Sequence, residues 1–139
     1  MQDKIYKDPE SDEWFFGKDQ YILSETDSNG IILYANEIFC EIAAYTKEEL
    51  IGEPHNLLRH PDMPKIAFQG LWDDIQSKGF WEGIVKNKRK DGAHYWVHAT
   101  VLRKIDSNGN PTYLSIRTVP NRTAVEDASK LYHQLKQSE

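Results

Sequence analysis

Apolar residues cluster in two short segments near the start of the chain, residues 21–25 and 31–35. Short apolar runs bounded by turn-forming residues favour β-strands. The intervening sequence, Thr-Asp-Ser-Asn-Gly at positions 26–30, is rich in turn-forming residues. Gly30 supplies the positive φ that a tight turn requires. The pattern therefore predicts a β-hairpin.

After this hairpin, apolar residues recur at helical spacing. Asn36 can cap a helix whose apolar residues recur at positions 38, 39, 42 and 43. Thr46 opens a capping-box sequence, which predicts a second and short helix that ends at Gly52. A longer amphipathic helix is predicted next, with Pro64 in its first turn and Gly79 at its end.

Three further strands are predicted over about 82–90, 93–104 and 112–119, joined by turns with Asp-Gly and Asn-Gly sequences. Two strand groups separated by helices do not fit a βαβ repeat. The economical solution is an α+β fold, in which one five-stranded antiparallel sheet carries the helices on one face.

Residues 122–138 predict a last amphipathic helix, with apolar positions 124, 128, 131 and 135 along one stripe. No strand follows it, so we expect it to pair with another chain or to lead onward. Packing back on its own domain is the alternative.

The sequence divides into an N-terminal arm or cap (1–20), a central domain (21–119) and a C-terminal helix (120–139) that could pair with another chain or lead onward. In the arm, Trp14, Phe15 and Phe16 are adjacent and follow no period. We expect this segment to lie over an apolar surface of the domain or of a partner subunit. A satellite cluster of its own is the alternative.

Composition narrows the class of protein. A chain of 139 residues is long enough for one self-sufficient domain. Its net charge of −5 argues against general nucleic-acid binding. A single cysteine, Cys40, excludes an internal disulfide and fits a reducing compartment. No apolar run approaches the roughly 20 residues that span a bilayer, so we expect a cytoplasmic domain without direct membrane insertion. It could still be a piece of a longer receptor.

Residues 54–65 concentrate three prolines, two histidines, an arginine and an aspartate. Each proline fixes its own φ and restrains the residue before it. Arg59, His60 and Asp62 are therefore held with little freedom to relax. This rigidity and charge favour a ligand pocket over a linker.

The strand after the long helix supplies a second wall. Alternate strand residues share a face, so Trp81, Gly83, Val85 and Asn87 are expected to point the same way. The gap at Gly83 would leave room for a flat ligand ring against the sheet. Asn87 offers a donor and an acceptor, which the imide edge of a heteroaromatic ring requires.

Several longer motifs carry a family resemblance. They are Ile32–Phe39, Ala44–Gly52, Pro54–Asn56 with Arg59–Lys65, Trp81–Asn87, Lys90–Gly92 with His94–Val97, and Ser115–Thr118. With the predicted elements, they resemble a PAS domain, and more narrowly the flavin-binding PAS domain of bacterial aerotaxis and energy-taxis receptors. The resemblance covers about residues 21–119. Arg-His-Pro-Asp-Met-Pro-Lys and Trp-Glu-Gly-Ile-Val-Lys-Asn are its most specific parts.

The resemblance implies a cofactor, FAD, held without a covalent bond. It implies the flavin-site residues Asn36, Arg59, His60, Asp62, Trp81 and Asn87. Arg59 could meet the phosphates, Trp81 could stack on a ring, and Asn87 or Asn36 could read the imide edge. Helix capping is the alternative role for Asn36, His60 and Asp62. His55 and His98 are interpreted as structural or surface residues, and Phe68 and Trp72 as core.

The implied function is a redox or oxygen-related sensory module that needs no catalysis. It is expected to act as a homodimer and to signal to a chemoreceptor-like partner or downstream domain. The alternative is a PAS interaction module, or a sensor of haem or another small ligand. An enzyme is disfavoured because we find no second binding motif and no paired carboxylates for acid–base work. Photoadduct chemistry is disfavoured because Cys40 falls in the first helix.

Overall fold

A computed structural model describes residues 5 to 139. In chain order, its elements are β1 (Tyr6–Lys7), β2 (Glu13–Phe15), β3 (Ile22–Thr26), β4 (Ile32–Ala35), α1 (Glu37–Ala43), α2 (Lys47–Leu50), a 3₁₀ helix (His55–Leu58), α3 (Lys65–Lys78), β5 (Phe80–Lys88), β6 (His94–Ile105), β7 (Pro111–Thr118) and α4 (Arg122–Gln137). The predicted hairpin, helices and later strands are all present. Between residues 5 and 139, no helix is both long and apolar enough to cross a bilayer.

The five predicted strands form one antiparallel sheet in the spatial order β5-β6-β7-β3-β4. This confirms the predicted α+β architecture. The arm adds two short strands that the sequence did not reveal. Strand β2 pairs in parallel with the start of β6, where Glu13 lies opposite His94, and β1 pairs with β2. Strands of two and three residues are too short to show alternation, which is why the pattern missed them.

Asn36 ties the first helix to the sheet. Its Oδ1 accepts hydrogen bonds from the backbone N–H groups of Phe39 and Leu23, each at 3.1 Å. Its Nδ2 donates to the carbonyl of Tyr21 at 2.8 Å. One side chain therefore caps α1 and ties it to the start of β3.

The core lies between the inner face of the sheet and the layer formed by α1, α2, the 3₁₀ helix and α3. Tyr95 and Val97 point into it from β6 and are fully buried. Trp96, between them in sequence, points to the outer face because side chains alternate along a strand. The helices on the inner face therefore leave the outer face for other segments to cover.

Helix α4 packs on its own domain, which was the alternative to pairing with another chain. Val125 is 3% exposed, and the Tyr132 ring stacks on Trp96 with centroids 6.5 Å apart. Leu131, by contrast, is half exposed. The helix thus covers part of the outer face and keeps one apolar residue toward solvent.

The free edge of β5 is satisfied by other segments. The Tyr132 hydroxyl donates to the Ile84 carbonyl at 2.6 Å. The Lys86 N–H donates to the Met63 sulfur at 3.5 Å. Unpaired edge groups invite pairing with other chains, so these contacts protect the strand. The Tyr132 hydrogen bond also connects α4 directly to β5.

We expect Tyr132→Phe to lower the free energy of unfolding by about 1 kcal/mol, because the half-buried Ile84 carbonyl loses its donor. Urea denaturation measures the difference. Tyr21→Phe is the matched control, since the Tyr21 side chain is exposed. Equal stabilities of the two variants would contradict the role assigned to the Tyr132 hydroxyl.

Candidate functional site

A cavity of about 330 Å³ separates the sheet from α3 and the 3₁₀ helix. Four residues of α3 form one wall: Phe68, Leu71, Trp72 and Ile75. Their spacing of three and four places them on one helix face. The opposite wall comes from the sheet and includes Val85, Val97, Ala99, Val101 and Tyr113. Apolar walls with a few polar groups are typical of small-molecule sites.

Phe68 and Trp72 were interpreted as core residues, and the structure places both at the cavity. Trp72 is 36% exposed and meets the Tyr113 ring edge-on, with centroids 5.5 Å apart. Helical spacing shows which residues share a face, but it does not show whether that face meets side chains or a cavity.

Strand β5 presents Trp81, Val85 and Asn87 to the cavity, as the alternation predicted. The pairing with β6 fixes this orientation, with Val85 opposite Val97 and Asn87 opposite Tyr95. At Gly83, the structure does not show the free gap that the sequence predicted. A Cβ there would lie 2.5 Å from the Trp81 ring, so the indole itself covers Gly83. The recess holds the protein's own tryptophan instead of remaining free for a ligand ring.

The proline-rich stretch reaches the cavity through Pro54, His55, Asn56 and Arg59. Arg59 follows the 3₁₀ helix, and its backbone bridges to Asn87 on β5. Its guanidinium lies over the Phe68 ring, 4.2 Å from the centroid. Arg59, Trp81 and Asn87 are therefore three predicted site residues that the fold brings to one cavity.

The other three predicted site residues lie away from the cavity lining. The polar atoms of Asn36 are used in the cap described above. His60 Nδ1 accepts from the Asp62 N–H at 3.0 Å, and its ring meets His94 edge-on. The Asp62 carboxylate binds Lys86 Nζ at 2.8 Å, and this hydrogen bond lowers the pKa of Asp62. We therefore assign Asn36, His60 and Asp62 to the scaffold.

Two polar residues at the cavity were not among the predicted site residues. His55, interpreted as structural or surface, and Arg117 on β7 both line the cavity. Arg117 is 2% exposed. Its Nη1 lies 3.3 Å from His55 Nε2, and its Nη2 donates to Ser24 Oγ at 2.6 Å. The available signal was alternation in β7, which places Arg117 on the inner face with Tyr113 and Ser115.

Burial is the main influence on the protonation of this cluster, and the charge on Arg117 adds to it at His55. Burial, with the Arg117 charge, lowers the pKa of His55 to about 3. His55 is therefore neutral near pH 7, and its Nε2 can accept a hydrogen bond from Arg117. Burial lowers the pKa of Arg117 to about 10, which still leaves it protonated. Burial also raises the pKa of Tyr95 to about 12.

Metal ligation finds no support in the part of the chain that the structure describes. Residues 5 to 139 contain no group of three or more His, Cys, Asp or Glu side chains placed to hold a metal ion. The site's chemistry is that of an apolar chamber with amide, imidazole and guanidinium groups.

The pKa of His55 predicts the pH dependence of stability. The folded pKa of about 3 lies below the ordinary value of 6.5. Between these two values, His55 is protonated in the unfolded chain and neutral in the folded chain. The free energy of unfolding should fall as pH drops below about 6.5, by up to about 1.4 kcal/mol per pH unit. Burial lowers the pKa of His60 as well, which adds a slope of the same sign.

Urea denaturation between about pH 7 and pH 4.5 measures this slope, and His55→Gln should reduce it. His133→Gln, on an exposed position of α4, is the control. An unchanged slope in His55→Gln would mean that His55 does not lose its proton on folding.

Two relatives show what this sequence is similar to. It is 41% identical over 117 residues to the aerotaxis receptor of Escherichia coli strain K12, a match that covers 84% of this chain and 23% of the receptor. It is 29% identical over 87 residues to the nitrogen fixation regulatory protein of Klebsiella oxytoca, with 63% of this chain and 18% of the relative covered. The chain thus spans less than a quarter of either relative.

A solved structure has a similar fold. The PAS domain of a protein from Colwellia psychrerythraea matches with a TM-score of 0.65 at 24% identity, and covers 72% of this chain and 86% of that one. This likeness shows the fold. Residues 32–116, more than half of the chain, match the family described as PAS fold. The resemblance inferred from the motifs is confirmed, and the chain belongs to the PAS family.

Proposed function

We propose that this chain is a redox-sensing module that binds FAD without a covalent bond and passes a redox-dependent change to a signalling partner. Its relatives are a receptor and a regulatory protein, so the chain is a sensory PAS module. The observation that carries the flavin proposal is the convergence of Trp81, Asn87 and Arg59 on one largely apolar cavity.

The cavity supports the proposal by its size and lining. Ligand pockets range over roughly 300–1,000 Å³, so a volume of about 330 Å³ suits a tricyclic ring more than a whole dinucleotide. The nucleotide part would extend through the mouth, where Asn29, Pro54 and Asn56 are exposed. Arg59, near this side, would pair with the pyrophosphate through its planar fork.

FAD would supply the electron acceptor when bound. Trp81 would form an aromatic wall beside the ring, and its position over Gly83 limits how far it can turn inward. Asn87 would donate to and accept from the imide edge. A change of charge on the ring favours one orientation of the Asn87 amide over the other, and only this difference in interaction can shift the protein between states.

Strand β5 connects the cavity to helix α4. It carries Asn87 and Trp81 on the cavity side, and its Ile84 carbonyl holds Tyr132 of α4. A shift of β5 would therefore alter how α4 docks. We propose that α4 reports to a downstream domain or signalling protein in the cytoplasm, and that the half-exposed Leu131 contributes to a homodimer.

Trp81→Ala and Asn87→Ala should each weaken FAD binding by roughly five- to tenfold, because each removes about 1–1.5 kcal/mol of stacking or hydrogen bonding. Flavin absorbance and a fluorescence titration measure binding, and circular dichroism reports the fold. Trp96→Phe on the outer face and Asn108→Ala in the β6–β7 turn are matched controls and should bind FAD normally.

Stoichiometric FAD in both cavity variants would refute the proposed site. A wild-type protein that shows no flavin absorbance and takes up no added FAD would refute the flavin proposal itself. A Soret band in that protein would support haem binding, and no band with either cofactor would support a pure interaction module.

A further inference from the structure

The guanidinium of Arg117 is buried at the cavity with its hydrogen bonding incomplete. Its two terminal nitrogens contact Ser24 and His55, and the group lies 4.4 Å from the centroid of the Phe39 ring. Its Nε has no hydrogen-bond partner within residues 5 to 139. Buried polar atoms in folded proteins are nearly always paired, so this orphan donor indicates a group that completes the site.

The charge of Arg117 is also uncompensated. Arg89 is the other buried arginine between residues 5 and 139, and it binds the Asp91 carboxylate at 3.1 Å. Arg117 forms no such ion pair among the described residues, and none of the described residues that line the cavity is an aspartate or glutamate. Both partners it has, a hydroxyl and a neutral imidazole, leave its positive charge in place. A buried charge without a counter-ion is unfavourable.

We propose that Arg117 anchors the cavity ligand by an acceptor edge and binds it more tightly when that edge is negatively charged. This inference rests on the proposed function, and for FAD the edge is the N1–C2 carbonyl side of the ring. His55 and Ser24 are positioning residues, since they hold the two terminal nitrogens of the guanidinium and leave the Nε–H unpaired.

The charge difference arises on reduction. Bound FAD would take two electrons from dithionite, which would be oxidised to sulfite, and one proton from water. With N1 unprotonated, the reduced ring would carry one negative charge. Arg117 stabilises that form more than the neutral oxidised form, because an opposite charge nearby favours ionisation. A tenfold preference corresponds to about 30 mV in the midpoint potential of a two-electron couple.

The test compares Arg117→Met, which removes the charge, with Arg117→Lys, which keeps it. Arg103→Met is the matched control, because Arg103 binds the Ile75 and Gln76 carbonyls at the end of α3. Each protein is loaded with FAD and titrated with dithionite to measure the midpoint potential. The dissociation constant for oxidised FAD and the circular dichroism spectrum are measured in parallel.

We expect Arg117→Met to lower the midpoint potential by about 30 mV or more, equivalent to at least a tenfold loss of preference for the reduced ring. Arg117→Lys should recover part of that shift, and Arg103→Met should match the wild type. If Arg117 only fills space, the Met and Lys variants will weaken both redox forms equally and leave the potential unchanged. That result would overturn the inference.

The two proposals fail in different ways. A wild-type protein that binds no FAD contradicts the proposed function and this inference together. A wild-type protein that binds FAD, with an Arg117→Met variant of unchanged potential, contradicts the role of Arg117 and leaves the flavin site intact. If Arg117→Met does not fold, the midpoint potentials of Arg117→Lys and Ser24→Ala are compared with that of the wild type. Ser24→Ala removes a hydrogen bond that holds the guanidinium, so it should also lower the midpoint potential. Unchanged potentials in both variants would contradict the role of Arg117.

Discussion

The pairing of β5 with β6 is the constraint on which the site depends. Nine residue pairs, from Phe80 with Leu102 to Lys88 with His94, run in unbroken register. A slip of one residue would turn every side chain of β5 to the opposite face. Trp81 and Asn87 would then leave the cavity, and the charged residues between them would enter it. The register therefore determines both the shape and the polarity of the pocket.

The same strand joins the inside of the domain to its outside. On its inner face, it carries Trp81 and Asn87 at the cavity. At its free edge, the Arg59 backbone bridges to Asn87, and Tyr132 and Met63 satisfy the Ile84 and Lys86 backbone groups. An edge strand held by isolated contacts opens more easily than a central strand that has ladders on both sides. Movement at β5 is consequently less costly than movement at β3 or β7, and α4 is the segment that would follow it.

Local signals predicted the fold well and the site only in part. Alternation, capping residues and turn sequences depend on neighbours in the chain, so the hairpin, the helix begun by Asn36 and the face shared by Trp81 and Asn87 could be predicted. The short strand β2 could not, because its evidence is a pairing with β6 about 80 residues away. Arg117 and His55 escaped for the same reason: their meeting joins positions 62 residues apart.

A cavity beside a buried cation has an energetic consequence for the whole domain. The apolar wall gives up packing contacts wherever it faces the cavity, and the charge of Arg117 has no carboxylate partner within the described chain. A ligand that binds the folded state alone stabilises it by mass action, by about 2.7 kcal/mol when its concentration is 100 times the dissociation constant. Under the proposed function, ligand occupancy and folding would therefore be linked in this domain, and the residues that make it less stable when empty would be those that bind the ligand.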